Sequence, residues 1–141
     1  MTPDVNILVA ASRQDHPHHE RALVWLEEAI NSGSSLAILP MVASGFLRLV
    51  THPKVFLAPT PIDEALKFLR AVLDSPGVVL LPLGNEWSEF ERQCAFHSLT
   101  GNAIPDAWIA AAASSNRLHL VTFDKDFRKL LKPSSVTVLK G

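Results

Sequence analysis

The apolar residues of this chain fall into two kinds of segment that alternate along its length, and no other feature restricts the fold as strongly. Leu36 to Leu39, Val78 to Leu81, Leu118 to Thr122 and Val136 to Leu139 are short runs of low polarity. Between them lie stretches whose apolar residues recur every three or four positions, the period of a helix with one buried stripe. His18 to Asn31 puts Ala22, Leu23, Leu26, Ala29 and Ile30 on one face, with Gly33 as its stop. Met41 to Val50, Pro61 to Leu73, Glu86 to Leu99, Pro105 to Ser115 and Lys125 to Leu131 read as further helices. Pro61 suits a first turn, and Pro76-Gly77 lies beyond the end of its helix. The opening residues 2 to 10 begin as a short strand. Composition alone does not decide whether Val5 to Ala10 continues it or turns helical after Asp4. Strands that alternate with helices pair in parallel through right-handed crossovers, and a sheet covered on both faces has apolar strands. The expected class is α/β: a three-layer α/β/α fold around a central parallel sheet.

At 141 residues, the length suits one domain, spanning residues 1–141, with no linker, repeat or low-complexity tract to divide it. Apolar content is 48% and charged content 19%, which suits a globular core. No apolar run nears the roughly 18 to 20 residues of a spanning helix, so no membrane is expected. The opening Met1-Thr2-Pro3-Asp4 has no basic stretch before an apolar core, so no signal peptide is expected either. One cysteine, Cys94, excludes an internal disulfide and reads as a core thiol in a reducing, cytoplasmic compartment. Net charge is −1, which gives no overall basic face. Yet Arg117, Lys125, Arg128, Lys129, Lys132 and Lys140, six of thirteen basic residues, fall in the last 25 positions, giving either a locally positive end or ordinary solvated charge.

Three aspartates stand in apolar surroundings. Asp4 follows the first strand start; Asp106 sits in the first turn of the Ala-rich segment after Pro105; Asp124 closes the run Leu118 to Phe123. Ligands of open α/β sheets bind outside the carboxyl ends of the strands, where Asp4 and Asp124 fall and where a helix amino end carrying Asp106 can join them. Singly, each has a plainer reading: Asp4 as a terminal solvated charge, Asp106 as a charge favoured by the helix dipole, Asp124 as a turn or helix cap. Together they suit a shared hard cation, because buried carboxylates are costly unless paired or bound, and no basic residue neighbours Asp4 or Asp106 in sequence. All-oxygen ligands without thiolate suit Mg2+, with Mn2+ as a substitute. Asp126 reads as solvated, within possible reach of the site.

Other signals are weaker. His16-Pro17-His18-His19 lacks an i, i+4 pair and partner cysteines, so it reads as a loop before a helix rather than a zinc site. No Gly-rich phosphate loop and no GxSxG elbow occurs. Trp25, Trp87 and Trp108 fall on predicted helices as core or interface residues. A dehalogenase-type phosphotransferase would want a second acid where Asp4-Val5-Asn6 has asparagine, and a receiver-type domain would want a mid-chain strand aspartate and a late strand lysine; neither pattern is present.

Four segments in order along the chain carry a family resemblance: Thr2 to Ala11, Gly45 to Pro53, Thr100 to Ala111, and Val121-Thr122-Phe123-Asp124-Lys125-Asp126-Phe127. Together they resemble the PIN-domain ribonucleases of the VapC toxin type. The resemblance implies a magnesium-dependent endoribonuclease toxin that cuts structured RNA, is held inactive by a cognate antitoxin and forms a homodimer. Carried over residue by residue, it implies Asp4, Asp106 and Asp124 as catalytic, metal-holding positions. One position departs: many members have a glutamate where this chain has Val42-Ala43-Ser44-Gly45. Three carboxylates then suffice, or Asp126 or one of Glu86, Glu89 and Glu91 is recruited, or the chain is a catalytically impaired module that binds protein or RNA. A subgroup with the Gly-Phe-Leu-Arg pattern also lacks this glutamate, which favours an active enzyme. Hydrolysis of the phosphodiester would use water activated by the metal, since no histidine is an obvious base, with Arg48, Lys125 and Arg128 as candidate phosphate contacts.

Overall fold

The structure is a computed structural model that describes residues 1–141. Five short strands are joined by six α-helices that come in pairs, with no α-helix between the last two strands: β1 (Thr2–Pro3), α1 (Val5–Ser12), α2 (His19–Asn31), β2 (Leu36–Ile38), α3 (Pro40–Val50), α4 (Ile62–Leu73), β3 (Val78–Leu80), α5 (Trp87–Phe96), α6 (Ala103–Ser115), β4 (Leu120–Thr122) and β5 (Val136–Val138). Lys125–Lys129 and Pro133–Ser135 form 3-10 turns, the first where an α-helix to Leu131 was expected.

All strand pairs are parallel, in two ladders, β1-β4-β5 and β2-β3. The ladders meet at β1 and β2, where the Ala37 N–H donates to Met1 O at 3.0 Å and Thr2 Oγ1 donates to Ala37 O at 2.7 Å. The spatial order is therefore β3-β2-β1-β4-β5. The chain leaves β1 toward β2 and β3, then returns to the other side of β1 as β4. That reversal makes the gap between the carboxyl ends of β1 and β4 the switch point, where α/β sheets open a crevice. Register pairs Thr2 with Leu120 and Pro3 with Val121, so Asp4 leaves β1 opposite Thr122.

The undecided opening segment is strand for two residues only. Asp4 then caps α1: its Oδ1 accepts the Val5 N–H at 2.7 Å. Burial sustains this helix despite its β-branched residues, since Ile7, Leu8 and Ala10 are fully enclosed. The core joins α1, α2 and α3 to β2 and β4 through Leu26, Ile38, Val42, Phe46 and Leu120. The expectation of strands covered on both faces holds for β2 and β4 but not for β3. Val79 and Leu80 are 42% and 50% exposed, because β3 is an edge strand. Cys94 is half-buried rather than enclosed.

Candidate active site

Asp4 is held before any ligand arrives. Its carboxylate is 5% exposed and accepts two hydrogen bonds, from the Val5 N–H and from Thr122 Oγ1 at 2.7 Å. The Thr122 hydroxyl oxygen accepts in turn from the Asp124 N–H at 2.9 Å and from Asn6 Nδ2 at 3.3 Å, while Asn6 Oδ1 accepts the Phe123 N–H at 3.2 Å. One threonine and one asparagine thus clamp the end of β4 to the start of α1, and with it Asp124 to Asp4. Burial pushes the Asp4 carboxyl above its ordinary pKa, against the two hydrogen bonds that favour its charge, and Asp124 adds to the rise.

Asp106 reaches the same place from the first turn of α6, half-buried. Its pKa is pushed up to about 6, first by burial, then by the charges of Asp4, Asp124 and Asp126. Asp124 caps the 3-10 turn after β4 through the Asp126 N–H at 2.9 Å. The plainer reading of Asp124 as a cap is thus also true, whereas that of Asp4 as a terminal solvated charge fails, because Asp4 is buried and caps α1. Capping fixes both carboxylates at the crevice.

All three aspartates line one cleft of about 790 Å³, together with Asn6, Ser44, Gly45, Arg48, Asn102 and Trp108. A neighbouring cavity of about 480 Å³ shares Asn102, Asp106 and Asp124 and adds His97, Asp126 and Lys129. No group of three His, Cys, Asp or Glu side chains forms a ready-made cage for a metal ion. The three aspartates stand around the cleft, near enough that the charges of Asp4 and Asp124 raise the pKa of Asp106, but they do not meet at one point. This all-oxygen set fits a hard cation that keeps several waters of its own, as Mg2+ does.

Of the glutamates considered as replacements for the missing acid, none lines the cleft. Glu86 is buried, accepting from the Gly84 N–H and from Asn116 Nδ2, and it braces α5 against α6. Glu89 pairs with Arg92, and Glu91 accepts from Trp87 Nε1. Asp126 stands at the adjoining cavity. Ser44 occupies the wall without an acid, its Oγ donating to Met41 O at 3.3 Å. Arg48 lines the cleft, whereas Lys125 and Arg128 line neither cavity.

Sequence reasoning missed Thr122, Asn6, Asn102 and Lys129. A threonine in a strand looks like ordinary β-propensity. Only Asn6, the lone polar residue in Val5 to Ala10, gave a signal. The histidine segment shapes a loop: the His18 N–H donates to His16 Nδ1 at 3.0 Å, and His19 Nδ1 bonds Ala10 O at 2.9 Å. Trp108 packs edge-on to Phe90 and Trp87, and Trp87 is 60% exposed.

Comparison with known proteins decides the lineage. The PIN domain family model matches residues 1–132. This chain belongs to the PIN-domain family. Its relatives include Ribonuclease VapC31 of Mycobacterium tuberculosis, 32% identical over 127 residues that cover 89% of both chains. Ribonuclease VapC43 of the same organism is 33% identical and is covered over 86% of its length. The PIN fold also aligns with a crystal structure of VapBC2 from Rickettsia felis bound to a DNA fragment from their promoter. That alignment has a TM-score of 0.63 at 18% identity and covers 96% of this chain and 94% of the other. The three-layer α/β/α arrangement is that of a PIN domain.

Proposed function

We propose that this PIN domain is a magnesium-dependent endoribonuclease, a toxin of the VapC type restrained by a cognate antitoxin in the cytoplasm. The observation that carries this reading is that Asp4, Asp106 and Asp124 all line one cleft at the switch point of the sheet. The names of its relatives as ribonucleases support the substrate class, and the VapBC likeness supports the antitoxin. A homodimer is part of the proposal; Leu80, Trp87 and Phe96, exposed by 50%, 60% and 76%, are apolar surface for a partner to cover.

In this reading Asp4, Asp106 and Asp124 hold Mg2+, or Mn2+ in its place. When bound, the ion offsets phosphoryl charge and makes water a better nucleophile. The protein's own residues do the positioning. Thr122 and Asn6 fix Asp4 and the strand end that carries Asp124. Arg48 supplies positive charge at the rim of an otherwise acidic cleft, where a phosphate of the RNA lies. Asp106, whose pKa burial and the neighbouring carboxylates push up to about 6, would be favoured in its ionised form by a bound cation.

The second reading, a module that binds RNA or protein without cutting, is favoured by Ser44 standing where an acid is absent. Metal titration against a panel of folded RNAs separates the two. Cleavage that appears with Mg2+ and vanishes with EDTA supports the enzyme. Tight RNA binding with no cleavage at any Mg2+ or Mn2+ concentration overturns it.

A further inference from the structure

A third cavity, of about 270 Å³, lies at the opposite end of the sheet from the aspartates, where β4 begins and β5 is approached. Its walls include Ser114, Arg117, His119, Lys132, Ser134 and Ser135, with no carboxylate among its lining residues. We propose that it is a phosphate-binding site.

Two cations and three hydroxyls are the chemistry that recognises a phosphate. Arg117 and Lys132 are free for it. The only ion pairs in the chain join Arg13 to Asp15 and Arg92 to Glu89, and neither Arg117 nor Lys132 donates a side-chain hydrogen bond. His119 braces the wall between them. Its Nδ1 lies 3.2 Å from Ser134 O, which can only accept, so Nδ1 carries the proton; Nε2 lies 2.6 Å from Thr137 Oγ1. The ring thereby ties the start of β4 to the turn that carries Ser134 and Ser135.

The backbone supplies a separate argument. Arg117 has φ of +54°, a left-handed conformation just past the end of α6. Glycine adopts it freely and an arginine only at a cost. A turn needing only shape would take glycine. Here a side chain with five N–H donors stands at the mouth of a cationic cavity instead.

The phosphate has two possible sources, a backbone phosphate of RNA or a free phosphate or mononucleotide. The RNA source rests on the proposed ribonuclease reading; the site itself does not. His119 and Asp124 are five residues apart along β4 and its end, a span of roughly 16 Å at ~3.3 Å per residue. A folded RNA of a few base pairs covers that distance and touches both ends of the domain.

The test has two arms, both in EDTA so that no RNA is cut. In the first, inorganic phosphate is titrated into the protein while backbone amide NMR signals are followed. Saturable shifts at Leu118, His119, Ser134 and Ser135 are expected. They should disappear in Arg117→Gly/Lys132→Gln, while Arg117→Gly alone melts no lower than the parent because the left-handed turn is relieved. In the second arm, binding of a folded RNA is measured against salt. If RNA is the source, the double variant binds several-fold more weakly and its log K against log salt slope falls by about 1 to 2. Phosphate shifts without any change in RNA binding assign the site to free phosphate or a nucleotide. Absence of shifts in the parent protein up to tens of millimolar phosphate overturns the proposal. Failure of the ribonuclease reading is seen separately, as absent cleavage in Mg2+ with the phosphate shifts intact.

Discussion

Thr122 Oγ1 donates its proton to Asp4 Oδ2 at 2.7 Å, a bond between residues 118 positions apart that ties the last residue of β4 to the cap of α1. Both residues are buried, and the same hydroxyl oxygen accepts from Asn6 and from the Asp124 backbone. Thr122→Val keeps the shape and removes every one of these bonds. The expected cost is about 2 to 3 kcal/mol in a denaturant titration, since each buried group left unpaired costs on the order of 1 to 3 kcal/mol. Magnesium affinity should fall with it, and Thr122→Ser should recover most of both losses. An unchanged midpoint in Thr122→Val contradicts the clamp.

Asp106 makes the metal-free protein pH-dependent, and the sign follows from its raised pKa. Folding lifts this carboxyl from 3.8 to about 6, so between those values the folded state binds more protons than the unfolded one. Its contribution is most favourable below about pH 4 and is lost as pH rises through 6, where the charge must sit beside Asp4 and Asp124. For a half-exposed group the loss is about 1 to 2 kcal/mol after allowance for solvent screening. Denaturation in EDTA at pH 4.5 and 7.5, compared between the parent and Asp106→Asn, isolates this part. The variant should lack it and be the more stable protein at pH 7.5. Equal pH slopes in the two proteins contradict the assignment.

Helix α3 packs against α1 at Gly45. A Cβ there would meet Val5 Cγ2 at 3.0 Å. Gly45→Ala gains up to about 1 kcal/mol of helix propensity but overpacks a contact with a stiff β-branched side chain, which typically costs 1 to 3 kcal/mol. A net loss of about 1 kcal/mol is expected, along with weaker RNA cleavage, because α3 carries Arg48 and Ser44 into the cleft. Stabilisation with unaltered cleavage shows that this contact yields freely.

Ser44 lines the cleft and falls within Val42 to Gly45, the stretch where the family resemblance leads one to expect a glutamate. Ser44→Glu should tighten Mg2+ binding, measured by calorimetry, and lower stability in EDTA by adding a fourth negative charge. If three carboxylates suffice, the turnover at saturating Mg2+ changes little. A large rise in turnover shows that the parent is short of an acid.

The fold class and the three aspartates were legible because burial writes them into the sequence. Apolar runs of strand length, helical stripes, and isolated acids amid apolar residues all follow from which groups leave water. The clamp was not legible, since Thr122 sits in a β-branched run and its role depends on the register of β1 against β4. The exposure of β3 was hidden for a similar reason: Val78 to Leu81 has the composition of a central strand, and strand order makes it an edge. Glu86 looked like a spare acid on a helix start, and only tertiary packing shows it turned toward Asn116. The backbone of Arg117 left no trace in the pattern at all, because arginine is not a residue that signals a left-handed turn.

The central claim is that Asp4, Asp106 and Asp124 hold a cation that cuts RNA. Its most direct test is cleavage of a folded RNA across a Mg2+ titration by the parent protein, Asp4→Asn and Asp106→Asn, with each fold checked by denaturation. The account predicts parent activity that rises with Mg2+ and is abolished by EDTA, and no detectable cleavage by either variant although both remain folded. Parent-level cleavage by the variants, or by any of the three proteins in EDTA, contradicts it.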